Sequence, residues 1–456
     1  MTVAITPPRA AVGAELPLLD VVGRDLEIPI VTGGRRRFVQ LDYAASAPPL
    51  QAVADTVEEF LPWYSSVHRG AGFTSTVSSE ALEAARHTLH AFLGARADDT
   101  VVFTRNTTDA VNLLARALPD GTTVVTLDLE HHANLLPWRG HDHVHLPTPA
   151  SLSAVAGVFD EALDRLNGSR VLVAVTGASN VTGELLPVAD IASVAHRHGA
   201  RVLVDAAQLA PHRRVDLAAL DVDYLALSGH KLYAPYGSGV LVGRRDWLDA
   251  APPHLAGGGA VRNVTRAGVD WAVSPARHEA GTPNVVGAVA LAAACRTLTA
   301  LGLERVAAHD AALTDHLRAG LERIDGIRVL SAFGSDSDRV GIVALHTDGQ
   351  PASVVAAALS AEHAIATRDG AFCAHPFLRN LFGVAEDSRL PNALRVSFGV
   401  GTTSGDIDAL LAALADIGAH GPRWTYELTA DRLVPSPDHR PRPNFSPPPS
   451  PRIQAK

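Results

Sequence analysis

At 456 residues the chain is long enough for two domains built on large cores. An apolar share of 47% against 19% charged residues describes a well-packed soluble protein and excludes a disordered one. The net charge of −9, with both signs interspersed, leaves no basic face for nucleic acid or anionic lipid, and no apolar run reaches membrane-spanning length. The opening MTVAITPPRAAVGAELP lacks a basic cap followed by an apolar core, so no secretory signal is expected. Two cysteines, Cys295 and Cys373, cannot make a disulfide framework, which points to a reducing, cytoplasmic setting.

Residues 1–37 contain prolines and little periodicity, and read as an arm packing on the body. Residues 38–285 read as a large α/β domain. It opens with a short strand from Phe38 running into a turn at Pro48, then a polar, glycine-bearing loop from Trp63 to Gly72. A helix is expected from about residue 79, capped by Ser78 or Ser79, with Leu82, Ala85, Leu89 and Phe92 on its buried face. Strands are then expected over 101–104, 123–127, 171–176, 201–205 and 224–228, with helices over 109–118 and 188–198. This alternation predicts a mostly parallel sheet with helices on both faces. Residues 286–420 read as a smaller α+β domain. Helices are expected over 286–301, 303–324, 351–363 and 404–417, and strands over 327–330, 340–345 and 394–398. Proline dominates residues 421–456, a composition that builds no core and predicts a flexible tail.

The chemistry concentrates between Asp205 and Tyr236. One apolar run ends in Asp205 with Gln208 just beyond, and a second ends in Ser228-Gly229-His230-Lys231. Open α/β sheets bind ligands at the carboxyl ends of their strands. A lysine there, beside phosphate-binding partners and an acid able to face a pyridinium nitrogen, is what a pyridoxal phosphate enzyme needs. A single lysine after a strand is more often a solvated surface residue, so the reading depends on convergence. Arg105-Asn106-Thr107-Thr108-Asp109 supplies it: two hydroxyls stand where a strand feeds a helix, an end that attracts a phosphate dianion or is simply an N-cap. In Glu130-His131-His132-Ala133-Asn134 an imidazole can stack on a flat ring or carry a proton. Zinc on this histidine pair lacks a third ligand at suitable spacing, and His141, His143 and His145 form only a partial cluster, so no metal is expected.

The set Leu41-Asp-Tyr-Ala-Ala-Ser-Ala-Pro48, Val67-His-Arg-Gly70, Glu130-His-His-Ala-Asn134, Ser179-Asn180, Asp205-Ala-Ala-Gln208, Ser228-Gly-His-Lys231 and Glu279-Ala-Gly-Thr-Pro-Asn284 resembles the class V aminotransferase fold family. Within that family it resembles the branch of cysteine desulfurases and selenocysteine lyases, over about residues 39–417. The resemblance implies a fold-type I pyridoxal 5'-phosphate enzyme that converts L-cysteine to L-alanine. In it Lys231 would bond the cofactor and shuttle the Cα proton, Asp205 would keep the pyridine nitrogen protonated, and Gln208 would bond the ring's phenolic oxygen. His131 would stack on the ring, while Thr107, Thr108, Ser228 and His230 would hold the phosphate. Thr282 would reach the phosphate of the other subunit, implying a homodimer with shared active sites. Asn180 and Arg395 would receive the substrate carboxylate. Cys373, five positions after Arg368, would carry the sulfur as a persulfide for a protein acceptor. The branch often has two histidines before this cysteine; here Ala371 and Phe372 stand there. The same scaffold also serves aminotransferases, epimerases and C–S lyases, in which Cys373 would be structural. A non-enzymatic scaffold that recruits a partner through its proline-rich tail is the remaining alternative.

Overall fold

The structure, a computed structural model, describes residues 14–429 and 432–445. Helices α1 (Gln51–Phe60) and α2 (Phe73–Phe92) precede strand β1 (Thr100–Thr104) and helix α3 (Thr107–Ala117). Then come β2 (Thr122–Leu127), β3 (Asp142–Leu146), α4 (Val155–Arg165), β4 (Arg170–Thr176), α5 (Val188–Arg197), β5 (Arg201–Asp205), β6 (Tyr224–Ser228), β7 (Gly239–Gly243) and the short helix α6 (Arg245–Ala250). These seven strands form one sheet in the order β1-β7-β6-β5-β4-β2-β3. Only β7 runs antiparallel to its neighbours. The central strands are buried on both faces, which is why they read as unbroken Val/Leu/Ala runs rather than alternating ones.

Shared polarity decides where the chemistry lies. Because β1, β2, β4, β5 and β6 point the same way, the residues following each of them meet along one edge of the sheet. Strand β7 fits between β1 and β6 because Gly239 has no side chain: a Cβ there would lie 2.7 Å from the Asn106 Cα. Its five residues thus bring the N-terminus of α3 beside the end of β6.

One expectation for the first part needs correction. Helix α2 starts at Phe73 behind Gly72, six residues before the serine expected to lead it. Ser78 and Ser79 lie inside the helix and serve the preceding loop instead, their hydroxyls each accepting a backbone N–H at 2.8 Å, from Ser65 and His68. Helix α7 (Val285–Leu301), expected to open the second domain, packs on α1 and α2. Its Ala-rich faces allow that close approach on several sides at once.

Beyond α7 come α8 (Leu303–Leu321), β8 (Ile327–Val329), β9 (Ile342–Thr347), α9 (Ala352–His363), β10 (Arg368–Gly370), α10 (His375–Phe382), β11 (Ala393–Ser397) and α11 (Ser404–His420). The strands make an antiparallel sheet in the order β8-β9-β11-β10. Leu313 and Leu317 of α8, Leu359 of α9 and Leu410 of α11 pack against Val343, Leu394 and Val396. Thr403 and Asp406 close a capping box at the start of α11. The described part of the arm hydrogen bonds through Leu18 to Val400 and through Val31 to Ala361.

The flexible tail does not hold over its first part. Tyr426–Thr429 and Arg432–Pro435 form an antiparallel hairpin that packs on α9. Its anchor is the buried Glu362 carboxylate, which accepts the N–H groups of Arg423 and Trp424 and the Tyr426 hydroxyl at 2.6 Å. A buried carboxylate requires such donors, and among the described residues this segment supplies them. Pro447–Pro449 and Pro451 lie outside the described residues. Tyr426→Phe removes one donor from a buried charge and is expected to cost about 1–3 kcal/mol, read as a lower urea midpoint with unchanged slope.

Candidate functional site

A cavity of about 280 Å³ opens at the carboxyl edge of the large sheet. Strand β5 delivers Asp205 to it, buried, with Oδ1 accepting the Ala207 N–H at 2.9 Å. Burial raises the pKa of this carboxyl, and the nearby Lys231 opposes the rise. Gln208, on the turn that follows, donates from Nε2 to the Ala44 carbonyl at 2.8 Å. Strand β6 delivers Ser228, His230 and Lys231. Burial pushes the Lys231 amine down to about 8 despite the pull of Asp205 toward the charged form. His230 is held neutral by burial and by Lys231, its pKa lowered to about 4.

Strand β1 and helix α3 bring Asn106, Thr107 and Thr108 to the same cavity. Asn106, not a threonine, is the N-cap, accepting the Asp109 N–H at 2.9 Å. Both the backbone N and the hydroxyl of Thr107 lie 2.8 Å from Ser228 Oγ, so two strand ends are joined at a helix N-terminus. That end combines hydroxyls with the positive pole of α3, the arrangement that suits an anion.

Strand β2 leads to His131, whose Nδ1 accepts the Ala133 N–H at 3.0 Å. The proton of the neutral ring therefore sits on Nε2. Burial, then Lys231, lowers the ring's pKa to about 3, keeping it neutral across the physiological range. Beneath it the buried Glu130 accepts from Asn134 Nδ2 at 2.8 Å and from the Thr176 N–H at 2.9 Å, tying β2 to β4. Burial pushes Glu130 up to about 8.

The far wall comes from the second sheet. Arg395 of β11 is buried, donating from Nη1 to the Asn180 carbonyl at 2.9 Å and from Nη2 to Asp42 Oδ1 at 3.2 Å. Its Nε is buried without a partner. Arg368 of β10 donates to the other oxygen of Asp42 at 3.1 Å. The Phe372 ring lies 5.0 Å from the Arg395 guanidinium.

Cys373 is exposed at the rim, in a turn closed by the Ala374 N–H on the Ala371 carbonyl at 2.9 Å. Phe372 and Cys373 both have left-handed backbone, φ 52° and 55°, which side-chain-bearing residues adopt only when their surroundings enforce it. The enforcement is visible. Asn180 Nδ2 donates to the Phe372 carbonyl at 2.7 Å, and the His132 N–H donates to the Cys373 carbonyl at the same distance. Cys295, by contrast, is fully buried in α7, and burial pushes its thiol far up.

One cavity thus gathers twelve of the thirteen residues singled out from sequence: Thr107, Thr108, His131, Asn180, Asp205, Gln208, Ser228, His230, Lys231, Arg368, Cys373 and Arg395. Thr282 is the exception and lies exposed in the loop before α7. The His143 and His145 rings lie 3.8 Å apart on β3, tilted by 40°, and among the described residues no group of three or more metal-ligating side chains is arranged for an ion. Sequence reasoning assigned no role to Asp42, Glu130 or Phe372. Asp42 and Glu130 stood inside quoted motifs, but Asp42 meets arginines more than 320 residues on, and only one partner of Glu130, Asn134, is local, the other being Thr176 on a different strand.

The sequence matches the family model described as aminotransferase class-V over residues 39–410. It is 36% identical over 430 residues to a probable cysteine desulfurase 2 of Mycobacterium leprae, covering 91% of this chain and 98% of that protein. It is 35% identical over 408 residues to a cysteine desulfurase of Synechococcus elongatus, covering 87% of this chain and 63% of that longer relative. Among solved structures, the cysteine desulfurase CsdA of Escherichia coli in its S-sulfonic acid form superposes with a TM-score of 0.72 at 34% identity, covering 83% of this chain and 94% of that one.

Proposed function

Since the chain belongs to the aminotransferase class-V family, we propose that it is a pyridoxal phosphate-dependent cysteine desulfurase, or selenocysteine lyase, that releases L-alanine and captures the sulfur (or selenium) on Cys373. The observation that carries this reading is a single cavity lined by a lysine, a buried carboxylate, a buried arginine and an exposed cysteine. The residues fit the cofactor. An amine lowered to about 8 can react with an aldehyde, the Asp205 carboxylate suits a pyridinium, and the hydroxyls at the N-terminus of α3 suit a phosphate. When bound, pyridoxal phosphate supplies an electron sink for negative charge at the substrate Cα.

Thr107, Thr108, Ser228 and His230 would hold the phosphate, Asp205 would serve the ring nitrogen, and Gln208 and His131 would fix the ring. Lys231 takes the Cα proton and returns it later, work suited to a group lowered to about 8. Asn180 and Arg395 receive the α-carboxylate, and the unpartnered Nε of Arg395 supports that role. The Cys373 sulfur attacks the substrate Sγ: an S–S bond forms and the Cβ–S bond breaks. Its electron pair stays on Cβ, which takes up a proton to give alanine. In this reading the exposed Thr282 completes the site of a second subunit, so the working form is a homodimer, and the persulfide passes to a protein acceptor in the cytoplasm.

Purified protein given L-cysteine and a thiol reductant is expected to form alanine and sulfide in equal amounts. Cofactor-loaded protein that forms pyruvate, or no alanine at all, would overturn the desulfurase reading in favour of elimination or transamination.

A further inference from the structure

The turn that carries Cys373 runs straight into helix α10, and that helix starts without a cap of its own. Its N-cap is Ala374, whose side chain accepts nothing, and Pro376 in the first turn has no N–H to satisfy. The His375 N–H is met from outside the segment, by His132, whose Nε2 accepts it at 3.4 Å. The two imidazoles sit edge to face with centroids 4.4 Å apart. On the other side of the thiol, the His132 backbone N–H donates to the Cys373 carbonyl at 2.7 Å. One residue therefore holds the chain at both 373 and 375. Burial, then His375, lowers the pKa of the His132 ring, so its Nε2 keeps the lone pair that accepts. A second tie comes from the same stretch after β2. Asp128 accepts from the Asn380 amide of α10 through Oδ2, while its Oδ1 takes the Thr148 N–H at 3.0 Å.

These contacts help to explain why Phe372 and Cys373 stay in left-handed backbone. The loop after β2 carries His131 into the cavity and, one residue later, grips the turn whose cysteine lines the same cavity. Two neighbouring residues thus set the cavity's imidazole and its thiol. We infer that His132 is a positioning residue for Cys373: its side chain caps α10 and so holds the sulfur where it can meet the substrate Sγ. The inference rests on the reading of Cys373 as the sulfur acceptor.

The test compares His132→Phe, which keeps a ring and loses the acceptor, with His132→Gln, whose amide oxygen can take the same N–H. In cofactor-loaded His132→Phe, kcat for alanine release from L-cysteine is expected to fall about tenfold or more, with KM within about twofold of wild type. A misplaced nucleophile slows the step without weakening substrate binding. His132→Gln is expected to recover most of the loss. Amide hydrogen exchange across residues 371–378 is expected to quicken about tenfold in His132→Phe and to return toward wild type in His132→Gln. A histidine that served stability alone would lower cofactor content and raise KM, and the two variants would behave alike. Unchanged kcat in His132→Phe, unchanged exchange, or equal losses in both variants would each overturn the inference. If the His132→Phe chain does not fold, Asn380→Ala loosens the same helix at an exposed position and is expected to lower kcat alone. Wild-type kinetics there would overturn the inference as well. Alanine release by wild type separates the two readings. Its absence sinks the desulfurase assignment, whereas the exchange rates then decide whether His132 holds the turn.

Discussion

Cys373→Ala is expected to lower alanine and sulfide release from L-cysteine by about a thousandfold or more, while cofactor content and substrate binding stay near wild type. The side chain at 373 is exposed at the rim of the cavity, and its backbone is fixed by donors from Asn180 and His132 that do not depend on the thiol. Removing the sulfur therefore takes away the proposed nucleophile and leaves the turn in place. Cys295 cannot substitute, being buried in α7 with its thiol pushed far up, and Cys295→Ala is expected to leave turnover unchanged. Rapid-quench measurement of alanine from the two variants checks both statements. A Cys373→Ala protein that still makes alanine from L-cysteine would mean that sulfur leaves without capture, and the chain would then be a C–S lyase.

Histidines before the cysteine are not needed to hold this turn. Phe372 lies over the Arg395 guanidinium while its carbonyl accepts from Asn180. At this position the chain thus places an aromatic ring over Arg395, the arginine proposed to receive the substrate carboxylate.

Much of this site was legible because its residues sit at strand ends, and strand ends follow from apolar runs that stop. Val202, Leu203 and Val204 lead to Asp205, and Leu225, Ala226 and Leu227 lead to Ser228, so burial periodicity alone aims both at one edge. The remainder was hidden where partners are remote in sequence. Asp42 meets Arg368 and Arg395 more than 320 residues later, and no local pattern announces such a pairing. The tail hairpin was hidden for the same reason, since its ordering depends on Glu362 of α9 and not on its own proline-rich composition. Strand β7, with glycine at both ends, was not among the strands expected, and its fit shows only against Asn106 and Ser228. Helix α2 shows the converse error. Its serines have cap chemistry, but loop carbonyls and N–H groups from residues 63–68 claim them.

Lys231 carries the remaining large effect. Lys231→Ala is expected to leave a protein in which borohydride no longer fixes cofactor to the chain and L-cysteine turnover falls by about a thousandfold or more. A sharper expectation concerns pH, because only the unprotonated amine attacks an aldehyde. Burial lowers the Lys231 amine to about 8, and an ordinary lysine stays charged to near 10.4. Below about pH 8 each unit of acidification removes about nine-tenths of the reactive amine, so the rate at which apoprotein takes up pyridoxal phosphate should fall about tenfold per unit. Above that point the amine is mostly neutral and the rate should level off, well before a solvated lysine would. Asp205 opposes the lowering by favouring the charged amine, so Asp205→Asn should move the levelling point to lower pH. Stopped-flow absorbance of apoprotein mixed with pyridoxal phosphate across this range reads the profile directly. A rate still climbing tenfold per unit past pH 9 would mean that Lys231 is solvated, and the low-dielectric pocket argued for it would be wrong.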